Sequence, residues 1–307
     1  MESSIEEQRR EDISWQDRMS AASIGVWRFA RQNPAGAVGG VIMLTMVTLA
    51  AFAPLITPFD AADFVADRYE GLFGEGKKGE FLLFGSDYLG RDELSRLLYG
   101  GRVSLMVGFS APLIGVAIGT LIGIVSAYYG SLLDILLQRL VDTMLVLPGL
   151  VIVIVVATAF GFTMTVVICA LALFSTIGSI RVVRSHVLSL REAQYIEAQR
   201  AIGSSSLRIV MLHLFPNTLP VSIVLVAVGI AGAIVAEAQL SFLGIGIKPP
   251  TPSWGNMLSG AQTRFDLGPH LAIMPGIMIS IAVLAMNLFG DAVRDALDPR
   301  LRGSREE

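Results

Sequence analysis

Of 307 residues, 53% are hydrophobic and 16% charged, and the mean hydropathy is +0.64. Soluble domains carry about 25% charged residues, so the composition excludes one and indicates a chain that crosses a membrane several times. A net charge of −3 argues against a nucleic-acid partner, which needs a basic field, and the single cysteine, Cys169, lies in an apolar run and can form no internal disulfide.

Residues 1–12 are polar and mixed in charge, and no apolar core with a small-residue cleavage site follows them, so Arg9-Arg10 does not read as a secretion signal. From Ile13 to Gln32, apolar residues alternate with Arg18, Arg28 and Arg31, the pattern of a helix lying in the cytoplasmic interface with Trp27 at headgroup level. Residues 1–34 are therefore expected to form a tail and an interfacial helix. The 28 uncharged residues 32–59 suffice for a first span, assigned to 35–57, because a bilayer core needs about 20. Gly36 and Gly40 form a small-residue pair on it.

The external loop 58–102 contains Gly71-Leu-Phe-Gly-Glu-Gly76-Lys77, the opening of a phosphate-binding loop. Lys78 stands where Ser or Thr should ligate magnesium, and no helix pattern follows, so nucleotide binding is rejected. Residues 89–100 read as an amphipathic surface helix, with Leu94, Leu97 and Leu98 on one face and Arg91, Asp92, Glu93 and Arg96 elsewhere. The second span lies in the uncharged run 103–133, where Gly115, Gly119 and Gly123 recur every four residues as a helix-packing stripe and Pro112 should kink the helix. The run 143–180, too long for one span, breaks at Gly161-Phe162-Thr163 into a tight hairpin of third and fourth spans. Pro148-Gly149 falls inside the third, and Arg181 and Arg184 mark the end of the fourth.

A polar stretch follows, within a loop assigned to 185–216. Glu192 to Ile202 are helix formers, Gly203 suits a left-handed stop, and Ser204-Ser205-Ser206 can cap a second short helix reaching Pro216. The fifth span starts near Asn217 and carries Glu237 near its far end, where an acid points to a structural or gating role ahead of direct contact with a solute. Pro249 to Leu258 form a stiff loop anchored by Trp254. The sixth span is the run 267–290, which closes a core assigned to 103–292, with 293–307 as a tail.

Glu197, Ala198 and Gly203 occupy positions of a Glu-Ala-Ala-x-x-x-Gly loop, with Gln199 in place of the second Ala and His213 and Phe215 replacing the usual Ile and Leu before Pro216. Gly85-Ser86-Asp87, Gly90-Arg91-Asp92 and Ser95-Arg96 match a Gly-Thr-Asp-x-x-Gly-Arg-Asp-x-x-Ser-Arg signature apart from Ser86. The loop 249–258 and the ending Gly290 to Arg300 match too. On these residues the chain resembles permease subunits of ABC importers, in particular the dipeptide, oligopeptide and nickel branch.

The resemblance implies an all-α membrane fold of six spans, of the type I importer kind, with a cytoplasmic coupling helix between the fourth and fifth. It implies that Glu192, Tyr195, Glu197, Ala198, Ala201 and Gly203 meet an ATPase, and that Asp87, Arg91, Asp92, Glu237 and Trp254 serve external docking or gating. The implied partners are a homologous second permease, two ATPase subunits, an extracytoplasmic binding protein and membrane lipid. No cofactor or metal is expected on this chain, since ATP and magnesium belong to the ATPases. The cargo is expected to be a di- or oligopeptide, with nickel chelates or another small solute as the alternative.

Six spans with both termini in the cytoplasm of a bacterial or archaeal cell place 15 of the 23 Lys and Arg inside and 8 outside, which the positive-inside rule favours. Cysteines at Asp87 or Ser253 are then expected to react from outside. A self-contained secondary transporter should carry midplane carboxylates, broken helices or an internal repeat, none of which is clear in the sequence. A membrane hydrolase is excluded by the lack of His-Glu-x-x-His or Gly-x-Ser-x-Gly and by the scatter of His186, His213 and His270.

Overall fold

The computed structural model describes residues 27, 29–262 and 264–297. The interfacial helix assigned within 1–34 lies largely outside them, as does the tail from 298 onward. Helix α1 (Pro34–Ala51) has Pro at its start, where a missing N–H costs no hydrogen bond, and continues past Phe52 as the short α2 (Ala53–Ile56). The external segment then forms a small antiparallel hairpin, β1 (Gly74–Glu75) with β2 (Phe81–Leu82), in the register Gly74↔Leu82. The phosphate-loop mimic at 71–77 is thus the first strand and turn of this hairpin, and no helix follows it.

Helix α3 runs from Glu93 to Tyr129 as one element with Pro112 inside it. Its 37 residues rise about 55 Å, well beyond a hydrocarbon core of about 30 Å. This corrects the expected amphipathic helix at 89–100. Its helical part is the first two turns of the second span, and Asp92, Glu93 and Arg96 are buried under the external segment rather than displayed.

The third span is also corrected. Helix α4 (Ser131–Val146) stops at Leu147, whose extended backbone suits a residue before proline, and α5 (Gly149–Phe160) departs at 92°. Among the described residues five helices are long and apolar enough to cross a membrane, and this bent pair, taken as one broken span, brings the number to six. Helix α6 (Met164–Arg191) does not end at Arg181 or Arg184. Arg184 is neutralised by Asp134 of α4, with Nε and Nη2 each 2.6 Å from its oxygens, and Asp134 also accepts from Ser126 of α3 at 2.6 Å. A paired guanidinium does not have to leave the helix to reach water.

The fifth span begins earlier than expected. Helix α7 (Gln194–Ala201) ends at a bend, after which α8 (Ser206–Ile209), a π turn (Val210–Leu214) and α9 (Phe215–Phe242) run on without interruption, so the loop boundary at 216 is replaced by continuous helix. Helix α10 (Trp254–Ala261) replaces the second half of the expected Pro-rich loop. Helix α11 (His270–Leu297) extends beyond the boundary at 292.

Packing follows from what lipid permits. Lipid tails are as apolar as the helices, so close backbone contact and polar bonds hold the bundle together. Gly119 faces Thr176 and Ser179 of α6, Gly115 faces Ala172 and Ser175, and Gly123 faces Ile180 and Val183. On α1, Gly36 and Gly39 meet Ala292 and Ala285 of α11, and Gly40 meets the Phe289 ring. Apolar side chains of α1, α3, α9 and α11, among them Met43, Leu105, Ile234 and Met286, form one core, and Val107, Val153, Val167 and Leu240 of α3, α5, α6 and α9 form another.

A Cβ at Gly119 would overlap the Ser179 hydroxyl and lie 2.8 Å from the Thr176 carbonyl oxygen, whereas one at Gly178 would meet open space. Gly119→Leu is therefore expected to separate α3 from α6 at a cost of at least about 1–3 kcal/mol. Thermal unfolding and size-exclusion profiles in detergent should show a lower Tm and aggregation for Gly119→Leu and wild-type behaviour for Gly178→Ala.

Candidate functional site

The cytoplasmic tip is built around one apolar side chain. Ile196 of α7 is fully buried among Ile124, Ala127, Val183, Val187, Ile209 and Leu214, contributed by α3, α6, α8 and the π turn. Burying an isoleucine stabilises by about 1.5–3 kcal/mol, enough to seat a two-turn helix that could not persist alone. The bend after α7 has two closures. Gly203 adopts φ +80°, open to glycine and strained for branched residues, and the Ser204 hydroxyl donates to Gln199 Oε1 at 2.7 Å. Ser205 then caps α8 by accepting from Arg208 N–H at 3.4 Å. Arg191 donates to the Ala127 carbonyl at 2.9 Å, and the Arg200 guanidinium lies 5.7 Å from the centre of the Tyr128 ring, so the tip is also tied to the end of α3.

With Ile196 turned inward, Glu192, Tyr195, Glu197, Ala198, Ala201 and Gly203 are all exposed on the tip. Sequence reading missed their apolar neighbours. Ile202 is 74% exposed and Leu207 69%, and Met211 and Leu212 are exposed beside them. Exposed large apolar side chains are thus set among the polar residues of the tip. The signal was present as isolated apolar residues in an otherwise polar stretch. Gln199, read as a departure from the loop pattern, supplies the bond that closes the bend.

The external side is organised differently. Asp87 accepts backbone N–H groups of Leu89 and Arg91 at 2.8 and 3.0 Å, and the Arg91 Nε at 2.7 Å, with Arg96 Nε at 3.4 Å. Asp92 caps α3, its Oδ2 accepting from Ser95 N–H at 2.7 Å and Ser95 Oγ–H at 2.6 Å. Ser86 accepts from Glu70 N–H at 3.0 Å and donates to the Asp67 carbonyl. The Gly-Ser-Asp to Ser-Arg signature is thus a buried clamp that fastens the external segment to the start of α3.

A second buried group joins three elements. Glu237 of α9 is fully buried and accepts from Ser104 of α3 at 2.8 Å and Ser241 at 2.7 Å. Ser104 Oγ in turn accepts from Trp254 N–H at 3.2 Å, and the Trp254 indole donates to the Leu97 carbonyl at 3.0 Å. Helix α10 begins with a reciprocal cap between Ser253 and Asn256 and packs against α3, α9 and α11.

Of the expected roles in external docking or gating, burial takes Asp87, Arg91, Asp92, Glu237 and Trp254 out of direct contact with a docked protein. Each is buried, with its bonding capacity directed into the fold, and an approaching protein would meet Lys77, Lys78, Phe73, Phe81 and Thr251 instead. Ser253 is also buried, so neither it nor Asp87 is a sound position for surface labelling.

Comparison with known proteins supplies the family. Residues 119–303 match the family described as binding-protein-dependent transport system inner membrane component, and residues 24–70 match the N-terminal transmembrane domain of oligopeptide transport permease C. The chain is 38% identical over 275 residues to the glutathione transport system permease protein GsiD of Pectobacterium atrosepticum, covering 90% of each protein. It is 38% identical over 277 residues to the proteins of that name from Escherichia coli and Shigella boydii, again covering 90% of each. The chain belongs to the binding-protein-dependent inner membrane component family, as a non-catalytic, multi-pass permease of the ABC importers that include the peptide and glutathione systems.

Proposed function

We propose that this chain is the permease subunit through which small peptides cross the inner membrane, glutathione-like tripeptides among them, and that it works beside a homologous second permease. In this reading two ATPase subunits bind ATP and magnesium and grip the tip formed by α7 and α8, while an extracytoplasmic binding protein delivers the peptide to the opposite face. Both termini lie in the cytoplasm. The observation that carries the reading is the tip itself: a short helix seated by Ile196 that exposes Glu197, Ala198 and a cluster of large apolar side chains. The peptide assignment draws support from the names of the relatives and from the match at 24–70.

Motion would pass from the tip into three spans. Ile196 shares its core with the ends of α3 and α6, and α8 is continuous with α9, so a displaced tip moves all three helices. The clamp at Asp87 and the bonds at Glu237 keep the external ends in register while the cytoplasmic ends separate.

Ile202→Asp and Glu197→Lys are expected to release the ATPases from the purified complex. Gly203→Val forces a branched side chain onto positive φ at a cost of about 1–3 kcal/mol and should uncouple ATP hydrolysis from uptake. None of the three changes a membrane span, so each variant should insert normally. Co-purification, ATPase stimulation by loaded binding protein and glutathione uptake, measured together, test this. Wild-type uptake in all three would show that the tip is an ordinary loop.

Topology is checked by labelling in intact cells from which Cys169 has been removed. Cysteines at Lys78 and Thr251, both exposed, should react with a membrane-impermeant thiol reagent, and one at Arg200 should react only after lysis. The reverse pattern would invert the orientation.

A further inference from the structure

Polar side chains on the spans are satisfied in most places by their own helix. The hydroxyls of Thr45, Thr48, Thr143, Thr158 and Ser280 all donate to carbonyls four residues back. A cavity of about 680 Å³ between α1, α3, α9 and α11 is otherwise apolar, and its two hydroxyls, Thr120 and Ser222, bond each other at 2.8 Å. That cleft asks for nothing polar.

A different cavity, of about 600 Å³, opens between α5, α6, α9 and α11. Gly149, Phe174, Gly232 and Val283 contribute to its wall, and so do Gln239 and Asn287. Both amides are exposed, and neither side chain has a hydrogen-bond partner among the described residues. Asn287 lies 17 residues from the start of α11 and one turn, about 6 Å, before the exposed Asp291, so it sits toward the charged end of the span. A carboxamide in an apolar wall forfeits hydrogen bonds that a polar occupant of the cavity would restore.

The two amides also have a defined spacing. Gly290 of α11 opposes Ala227 of α9 across an antiparallel contact, which sets Asn287 level with Ile230. Gln239 is nine residues further along α9, about 14 Å away along the axis. That axial separation exceeds the roughly 10 Å of an extended tripeptide, so such a solute engages the two amides one after the other. Each carboxamide offers two N–H donors and one carbonyl acceptor, the complement of a peptide group, and the cavity lining contains no charged side chain.

We propose that Gln239 and Asn287 form a two-point binding station for the backbone of a short peptide, on the wall of the path that solute takes through the membrane. The proposal rests on the permease reading above and adds to it the residues that solute meets. The station supplies neutral hydrogen bonds at two depths, so a peptide leaving one amide is within reach of the other. Weak contacts in series suit passage, since a strongly held solute would not leave.

The test uses the assembled importer in liposomes, with Cys169→Ser as background. Gln239→Cys and Asn287→Cys should both react with a charged methanethiosulfonate reagent, and Leu284→Cys, exposed on α11 outside the cavity wall, should not. An unreactive Asn287→Cys in the assembled importer overturns the station. If that cysteine reacts only in the isolated chain, the amides face the second permease instead, which equally overturns it.

The second arm follows uptake of radiolabelled glutathione. Gln239→Leu and Asn287→Leu are each expected to lower uptake about tenfold with ATPase stimulation unchanged, and Asn287→Gln should restore most of it. Unchanged uptake in both leucine variants refutes the proposal. If the wild-type importer assembles but carries no glutathione, the tripeptide assignment fails, and the thiol arm, which needs no solute, still decides whether the station faces water.

Discussion

Helices in a bilayer gain nothing from hiding apolar surface from one another, and the whole arrangement depends on how that deficit is met along α3. At Gly115, Gly119 and Gly123 its backbone lies directly against α6, so that dispersion contacts and carbonyl dipoles act at the shortest range side chains allow. Proline at 112 meets Gly229 of α9 in the same way, with a Cβ at Gly229 falling 3.0 Å from the ring. α3 is thus the post against which α6, α9 and, at its outer end, α10 are set.

Onto this post the chain adds buried polar bonds, some local and some joining segments far apart in sequence. Glu237 links α9 to α3, Asp134 links α4 to α3 and α6, and Asp87 holds the external segment to the head of α3. Such groups are costly to bury and costlier to leave unpaired, since removing one partner of a buried ionic pair destabilises by about 3–5 kcal/mol. They discriminate among helix arrangements that apolar packing alone would leave nearly equivalent.

Much of this was legible in the sequence. Long uncharged runs located the spans, the Gly115 stripe announced close packing, and Gly203 and the serines after it marked a bend and a cap. Charge was the less faithful guide. Arg181 and Arg184 read as the end of a span because unpaired arginines seek water, but Asp134, fifty residues earlier, satisfies Arg184 within the helix. Asp87, Arg91 and Asp92 read as surface for the same reason, and burial became possible only because each found its partners locally. The break at Leu147-Pro148 was masked by apolar residues on both sides. A broken helix, which the sequence reading tied to secondary transporters, therefore occurs in an ABC permease. Ile202 and Leu207 were missed because exposure of an apolar residue depends on which way its helix faces, and Ile196 decides that.

The π turn at Val210–Leu214 has a geometric effect that reaches the far side of the membrane. A single turn of wider winding accommodates one residue more than an α-helical path would, and one residue corresponds to about 100° of rotation. Everything downstream in α9 inherits that azimuth: Glu237 toward Ser104, and Gln239, two residues on, toward open space. With ordinary winding at His213, the same side chains would sweep round by more than a quarter of a circle, and the acid would point where α3 is not. The orientation of an entire span is in this sense an angular setting, fixed by one residue of slack beside the cytoplasmic bend.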